Sequence, residues 1–261
     1  MKALSSAMRL SWQLFRNTLG AKYRRSYLGY LWMVVPALAI TGGVSLASQS
    51  GVIRSAETPL PFPLFVFIGI IIWQVFAESV EVSHKAFEGA RSYLTKVNCS
   101  REAVVLAQFY ETLIIAGVRM ALLLAVILLF GRGGWHVPGV IALCFAGALT
   151  LGLGIGALLM PFTILFGDFQ HAVKMALTYG VFLTPAFYLP QGTGWLSRLV
   201  AVGPLAAFMA SARDAAAGMV LSQPGWLLVT LGLSFLALGA GLCMVRLAAP
   251  ILVERMLVGG R

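Results

Sequence analysis

The chain has 261 residues, 59% of them hydrophobic and only 11% charged, with a mean hydropathy of +0.89. A soluble domain would carry about a quarter charged residues, and this apolar surplus exceeds what one globular core can bury, so the bilayer must solvate much of the surface. The net charge of +10 does not point to nucleic acid, because the basic residues gather at the ends of apolar runs and not along an aromatic-studded soluble face.

About 25 amphipathic, charged residues precede the first apolar run, which is not the layout of a cleavable signal peptide. Within the segment 1–22, Leu4, Met8, Trp12, Phe15 and Leu19 share one helical face, and Lys2, Arg9 and Arg16 share the opposite one. That pattern suits a helix lying in the headgroup layer, apolar side down. A soluble helix packed on a partner is the plainer alternative.

Six stretches are long and apolar enough to span, at roughly 29–50, 62–81, 103–130, 137–160, 169–189 and 225–247. Backbone groups in lipid must be satisfied within a segment, and the pattern lacks the alternation of barrel strands, so the expected class is all-α, with six transmembrane helices. With the N-terminus inside, thirteen basic residues fall on the cytoplasmic side and four (Arg54, Arg132, Arg198 and Arg213) outside, while Arg119 and Lys174 lie within spans. This bias places both termini in the cytoplasm.

Between spans two and three, residues 84–98 read as a short amphipathic helix. Phe87, Ala90, Leu94 and Val97 form one face; His84, Lys85, Glu88, Arg91 and Lys96 supply the polar remainder. Such a helix offers a rigid ball for a cytoplasmic partner's socket, or is simply a solvated loop helix. Span three carries Glu111 and Arg119, and ionisable groups inside spans are costly and mark function or interhelical bonds. Eight residues apart, they are ~12 Å apart along the axis and do not face one another as a simple pair. Either a water-lined path or a structural bond to another helix accounts for them.

Aromatic residues collect in spans two, four and five, among them Trp73, Phe76, Tyr179, Phe182 and Tyr188. Lipid-facing belts use such residues, and so does a conduit for sugar rings, which stack on aromatic faces. Gly147, Gly152, Gly154 and Gly156 in span four suit close helix packing, and no G-x-x-x-x-G-K-[ST] run occurs, so no nucleotide site is expected on this chain. Residues 190–224 are apolar but broken by Pro190, Gly192, Gly194 and Gly203-Pro204, which reads as two short helices entering and leaving the outer leaflet. Cys99, Cys144 and Cys243 have no metal-ligand spacing, and His84, His136 and His171 are scattered, so neither a metal site nor a catalytic set is expected.

The run Tyr23-Arg24-Arg25-Ser26-Tyr27-Leu28-Gly29-Tyr30-Leu31-Trp32, entering the first span after an amphipathic helix, resembles the permease subunits of bacterial polysaccharide ABC exporters, which serve O-antigen, capsule and teichoic acid. Tyr93-Leu94-Thr95-Lys96-Val97-Asn98 with Arg101-Glu102 is similar to the family's helix after span two, with Cys99-Ser100 in place of the usual Phe-Pro. Gly167-Asp168-Phe169-Gln170 and Gly203-Pro204-Leu205 resemble further family segments. The resemblance implies a homodimer working with two copies of a separate cytoplasmic ATPase that binds ATP and Mg. It implies that the chain itself is not an enzyme and that an undecaprenyl-linked polysaccharide crosses the bacterial inner membrane at the dimer interface. It places Phe87, Glu88, Arg91 and Leu94 at the ATPase, and Arg25, Tyr27, Gly29 and Trp32 at an entry gate. Trp73, Phe76, Glu111, Arg119, Tyr179, Phe182 and Tyr188 are the candidates for the path. O-antigen is the favoured cargo. A capsule, teichoic-acid or drug exporter, and an ion-coupled carrier using Glu111, Arg119 and Asp168, are the alternatives.

Overall fold

The computed structural model describes residues 34–51, 58–85, 101–132, 134–190 and 194–258. Its elements are α1 (Val35–Gln49), α2 (Phe62–His84), α3 (Arg101–Phe130), α4 (Val137–Leu165), α5 (Gly167–Tyr179) running into a 3-10 turn (Gly180–Leu183), α6 (Trp195–Val202), α7 (Pro204–Ala216) and α8 (Pro224–Val258). Among the described residues there is no strand. The segments 1–22 and 86–98, with Arg25, Tyr27, Gly29, Trp32, Phe87, Glu88, Arg91 and Leu94, lie outside the described residues, as does the side chain of Glu111.

Prolines open the helices where a missing N–H costs nothing: Pro36 in α1, Pro63 in α2, Pro138 in α4 and Pro204 in α7 all fall in the first turn. Among the described residues, four helices are long and apolar enough to cross a membrane: Phe62–His84, Thr112–Phe130, Val137–Leu165 and Pro224–Ala248. The first and fifth expected spans differ. In the described part of 29–50 the helix is the 15 residues of α1. In 169–189 the α-helix ends at Tyr179, and after the 3-10 turn the backbone becomes extended at Thr184 (φ −103°, ψ 151°). Thr184-Pro185 is the cause, since proline disfavours helical geometry in the residue before it and offers no N–H to continue the ladder.

The bundle is built around α2 and α4. Of their apolar windows 78% and 67% are buried, against 28% for α3 and 17% for α8, whose outer sides carry Leu128, Leu129, Leu228 and Leu236. Lipid tails are as apolar as leucine, so helices in a bilayer are held by close packing, not by escape from water. Here glycines set the distance. A methyl group at Gly152 would lie 2.5 Å from the Phe76 carbonyl oxygen of α2, and one at Gly156 would lie 2.5 Å from that of Val80. Gly154 meets Ala237 and Leu238 of α8 in the same way, and Gly147 makes room for the ring of Phe208 on α7. Ser83 Oγ donates to Leu153 O at 3.0 Å across the α2–α4 seam.

At the C-terminal end of α2, His84 is buried and its carbonyl accepts from Thr163 Oγ1 at 3.4 Å. This corrects its place on the polar side of the expected 84–98 helix: α2 continues three residues beyond the apolar run, and the end of α4 covers it. At the other end of the bundle, Arg132 N donates to Ala216 O at 3.0 Å, tying the turn after α3 to α7.

Gly152→Ala should lower the stability of the detergent-solubilised protein by about 1–3 kcal/mol, the usual range for overpacking. Gly139→Ala, where a methyl meets nothing within 4 Å, should leave it unchanged or slightly raised. Thermal unfolding of the two variants side by side checks this.

Candidate functional site

One face of α2 is not covered by α4. Ile70, Trp73, Gln74, Ala77, Glu78 and Glu81 follow one another at helical spacing and line a groove of about 430 Å³. Lys174, Leu177, Thr178 and Val181 supply the facing wall from α5 and its 3-10 turn, Pro36 and Ile40 come from α1, and Arg119 reaches in from α3. In a bundle this apolar, six polar side chains along one groove (Gln74, Glu78, Glu81, Arg119, Lys174 and Thr178) call for water or a polar cargo.

The charges are arranged in partnerships. Arg119, 7% exposed, pairs with Glu78 of α2 at 2.5 Å. Glu81 accepts from Lys85 Nζ at 2.7 Å, one helical turn on. Gln74 Oε1 is buried without a protein donor among the described residues. Arg119 therefore bonds to a neighbouring helix and also borders the groove.

The other expected path residues divide. Trp73 lines the groove; its ring stacks tilted on Phe76 at 5.5 Å between centroids, and Gly180 of the 3-10 turn sits against it so closely that a methyl there would come within 2.8 Å. Phe76 is buried among the core residues and is not among the side chains lining the groove. Tyr179, Phe182 and Tyr188 lie on the outward side of α5 and the segment after it, 62%, 63% and 37% exposed. Phe182 packs on Phe187 at 5.7 Å, and Tyr188 Oη donates to Phe182 O at 3.4 Å. Asp168 is in the first turn of α5, where a carboxylate suits the helix dipole, and it does not line the groove.

Sequence reasoning missed Gln74, Glu78 and Glu81. Their spacing of four and then three residues inside an apolar run was the available signal, since it places all three on one helical face. Averaged hydropathy over the run conceals them.

The groove offers the acceptors Glu78 and Glu81, the cationic donors Arg119 and Lys174, the amide of Gln74, the hydroxyl of Thr178, and one aromatic ring, Trp73. Among the described residues, no three of His, Cys, Asp and Glu gather as a metal site. The exposed side of α5 carries His171, Lys174, Thr178 and Tyr179, and the helix itself buries only Val173. It thus differs from the leucine-rich outer sides of α3 and α8.

No family model matches the chain. It is similar to the O-antigen export system permease protein RfbA of Myxococcus xanthus, with 30% identity over 206 residues that cover 76% of each chain. Two O-antigen export system permease proteins RfbA of Klebsiella pneumoniae are each 22% identical over 205 residues, 75% of either chain.

Removing one partner of the α2–α3 ion pair leaves a charge in an apolar setting. Arg119→Ala should destabilise the protein by about 2–4 kcal/mol, somewhat below the figure for a fully buried pair because Glu78 borders the groove. The exchange Glu78→Arg with Arg119→Glu should recover part of the loss. Thermal unfolding of the single and double variants, read as a mutant cycle, measures the coupling.

Proposed function

As a member of the family of polysaccharide ABC exporter permeases, this chain, we propose, is the membrane-spanning half of an ATP-driven exporter that carries a lipid-linked polysaccharide, O-antigen by preference, across the bacterial inner membrane. The observation that carries this reading is the polar, aromatic-edged groove on the α1–α2–α5 side of a bundle whose other exposed sides are hydrocarbon-like.

Lipid is a poor neighbour for that side, and a second copy is a good one. A homodimer facing along α1 and α5 would enclose two such grooves as one hydrated path. Trp73 and the exposed Tyr179, Phe182 and Tyr188 would offer stacking faces to sugar rings, while Gln74, Glu78, Glu81 and Thr178 would exchange hydrogen bonds with passing hydroxyls. A path for a long chain needs many weak, interchangeable contacts and no tight one. The mix of donors and acceptors along the groove provides that.

In this reading α1 completes a first span with the residues before it, and α5 with its 3-10 turn and the following extended residues forms the fifth. The chain then crosses six times with both termini inside, and α6 and α7 dip into the outer leaflet. Energy comes from two copies of a separate ATPase that binds ATP and Mg. Phe87, Glu88, Arg91 and Leu94 dock on it, and Arg25, Tyr27, Gly29 and Trp32 stand at the cytoplasmic entry.

Purified from its native membrane in mild detergent, the chain should bring a stoichiometric cytoplasmic ATPase with it. Phe87→Asp combined with Arg91→Glu should abolish that association and stop export of polysaccharide to the cell surface. Association and export both intact in the double variant would refute the docking role. Uphill transport in vesicles lacking the ATPase would replace this reading with an ion-coupled carrier.

A further inference from the structure

Counted by charge, Arg213 belongs with the exterior basic residues. The structure buries it, leaving 7% of its surface exposed. Its Nε donates to Phe65 O at 3.2 Å, Nη1 to Pro185 O at 2.8 Å and Nη2 to Ala186 O at 2.8 Å. The guanidinium carbon lies 3.5 Å from the centroid of the Phe65 ring, a cation–π contact in a desolvated setting. The acceptors are all backbone carbonyls. The adjacent carboxylate is engaged elsewhere, since Asp214 Oδ2 accepts from Ser222 N at 2.8 Å and Ser222 Oγ at 2.7 Å.

Each part of this arrangement has a local cause. Pro185 and Ala186 can offer their carbonyls sideways because the chain has left the helix at Thr184. Only a planar fork with several fixed donors reaches three such carbonyls on two elements at once; a lysine ammonium is a single point. Gly69 on α2 opens the space. A methyl there would lie 2.6 Å from both Ala186 O and Arg213 Nη2. Within α5 and its 3-10 turn only Val173 and Val181 are buried, and beyond the turn Ala186 is buried against α2, where Arg213 meets it.

We propose that Arg213 and Gly69 form a positioning clamp that fixes the segment 184–190, with Phe187 and Tyr188, at the outer mouth of the polysaccharide path. This rests on the exporter reading above. Arg213 does not touch the cargo in this scheme. It acts by holding the end of α5 against α2, so that a movement begun at the cytoplasmic ends of the helices reaches the mouth as one displacement instead of being lost as slack.

The test uses the full permease–ATPase complex in proteoliposomes, with Arg213→Lys, Gly69→Ala and the two combined. Spin labels on Leu183→Cys and Leu128→Cys, both exposed, report the position of the α5 end in a background without the native cysteines. With labelled subunits diluted among unlabelled ones, the wild type should give one narrow distance within a protomer. Each single variant should broaden it, and the combination should do no more than either alone, because both break the same clamp. Polysaccharide exported per ATP hydrolysed should fall about tenfold, a typical size for coupling between sites, with ATPase binding and turnover unchanged. An unchanged distance distribution would overturn the proposal. So would parallel loss of ATPase binding and export, because Arg213 would then merely hold the fold together. If the wild-type complex exports nothing, the exporter reading falls, and the label distances alone decide whether the clamp exists.

Discussion

With no water in hydrocarbon to drive helices together, α2 is held by how closely its backbone approaches α4, and Gly152 and Gly156 set that approach. A side chain at either position would push the helices apart and loosen the whole bundle. Because this contact occupies one side of α2 along much of its length, the other side is free to be polar. Gln74, Glu78 and Glu81 stand there, and the helix can carry them because its hold on the bundle comes from the glycine seam. The seam and the groove are two faces of one helix, and the first makes the second possible.

The two arginines deep in the protein solve the same problem in different ways. Each is permanently charged, and a charge in an apolar setting persists only with partners of its own. Arg119 takes a carboxylate, Glu78, and the pair sits on the rim of a cavity where water or cargo can share the load. Arg213 takes three carbonyls and an aromatic face at a helix break. The first arrangement faces the groove, and the second joins α7 to α2 and to the segment after α5.

Much of the architecture was legible in the sequence, and the parts that were not share a cause. Apolar run lengths mark α2, α3, α4 and α8, and the glycines of α4 announce close packing. Gly203-Pro204 marks the break between α6 and α7, since proline fixes its own φ and supplies no N–H. Arg213 was illegible because its acceptors come from residues 148, 28 and 27 positions away, a relation no local pattern records. Glu78 was overlooked as the partner of Arg119 because it stands in a run whose average is strongly apolar, although its spacing from Gln74 and Glu81 was readable. Tyr179, Phe182 and Tyr188 stand within ten residues of one another in the sequence, but composition alone could not separate them from the buried Phe76. Only the tertiary packing tells which aromatics face outward.

The central claim is that the α1–α2–α5 groove is wetted in the assembled protein while the outer sides of α3 and α8 face lipid. It is tested most directly by placing single cysteines at Gln74 and Thr178 in the groove and at Leu128 and Leu236 on the other sides, in a background without native cysteines. Membranes containing the intact complex are then exposed to a charged, water-soluble thiol reagent. The account predicts rapid labelling at Gln74 and Thr178, slowed when polysaccharide is being carried, and little at Leu128 and Leu236. Groove cysteines as unreactive as those facing lipid would contradict it.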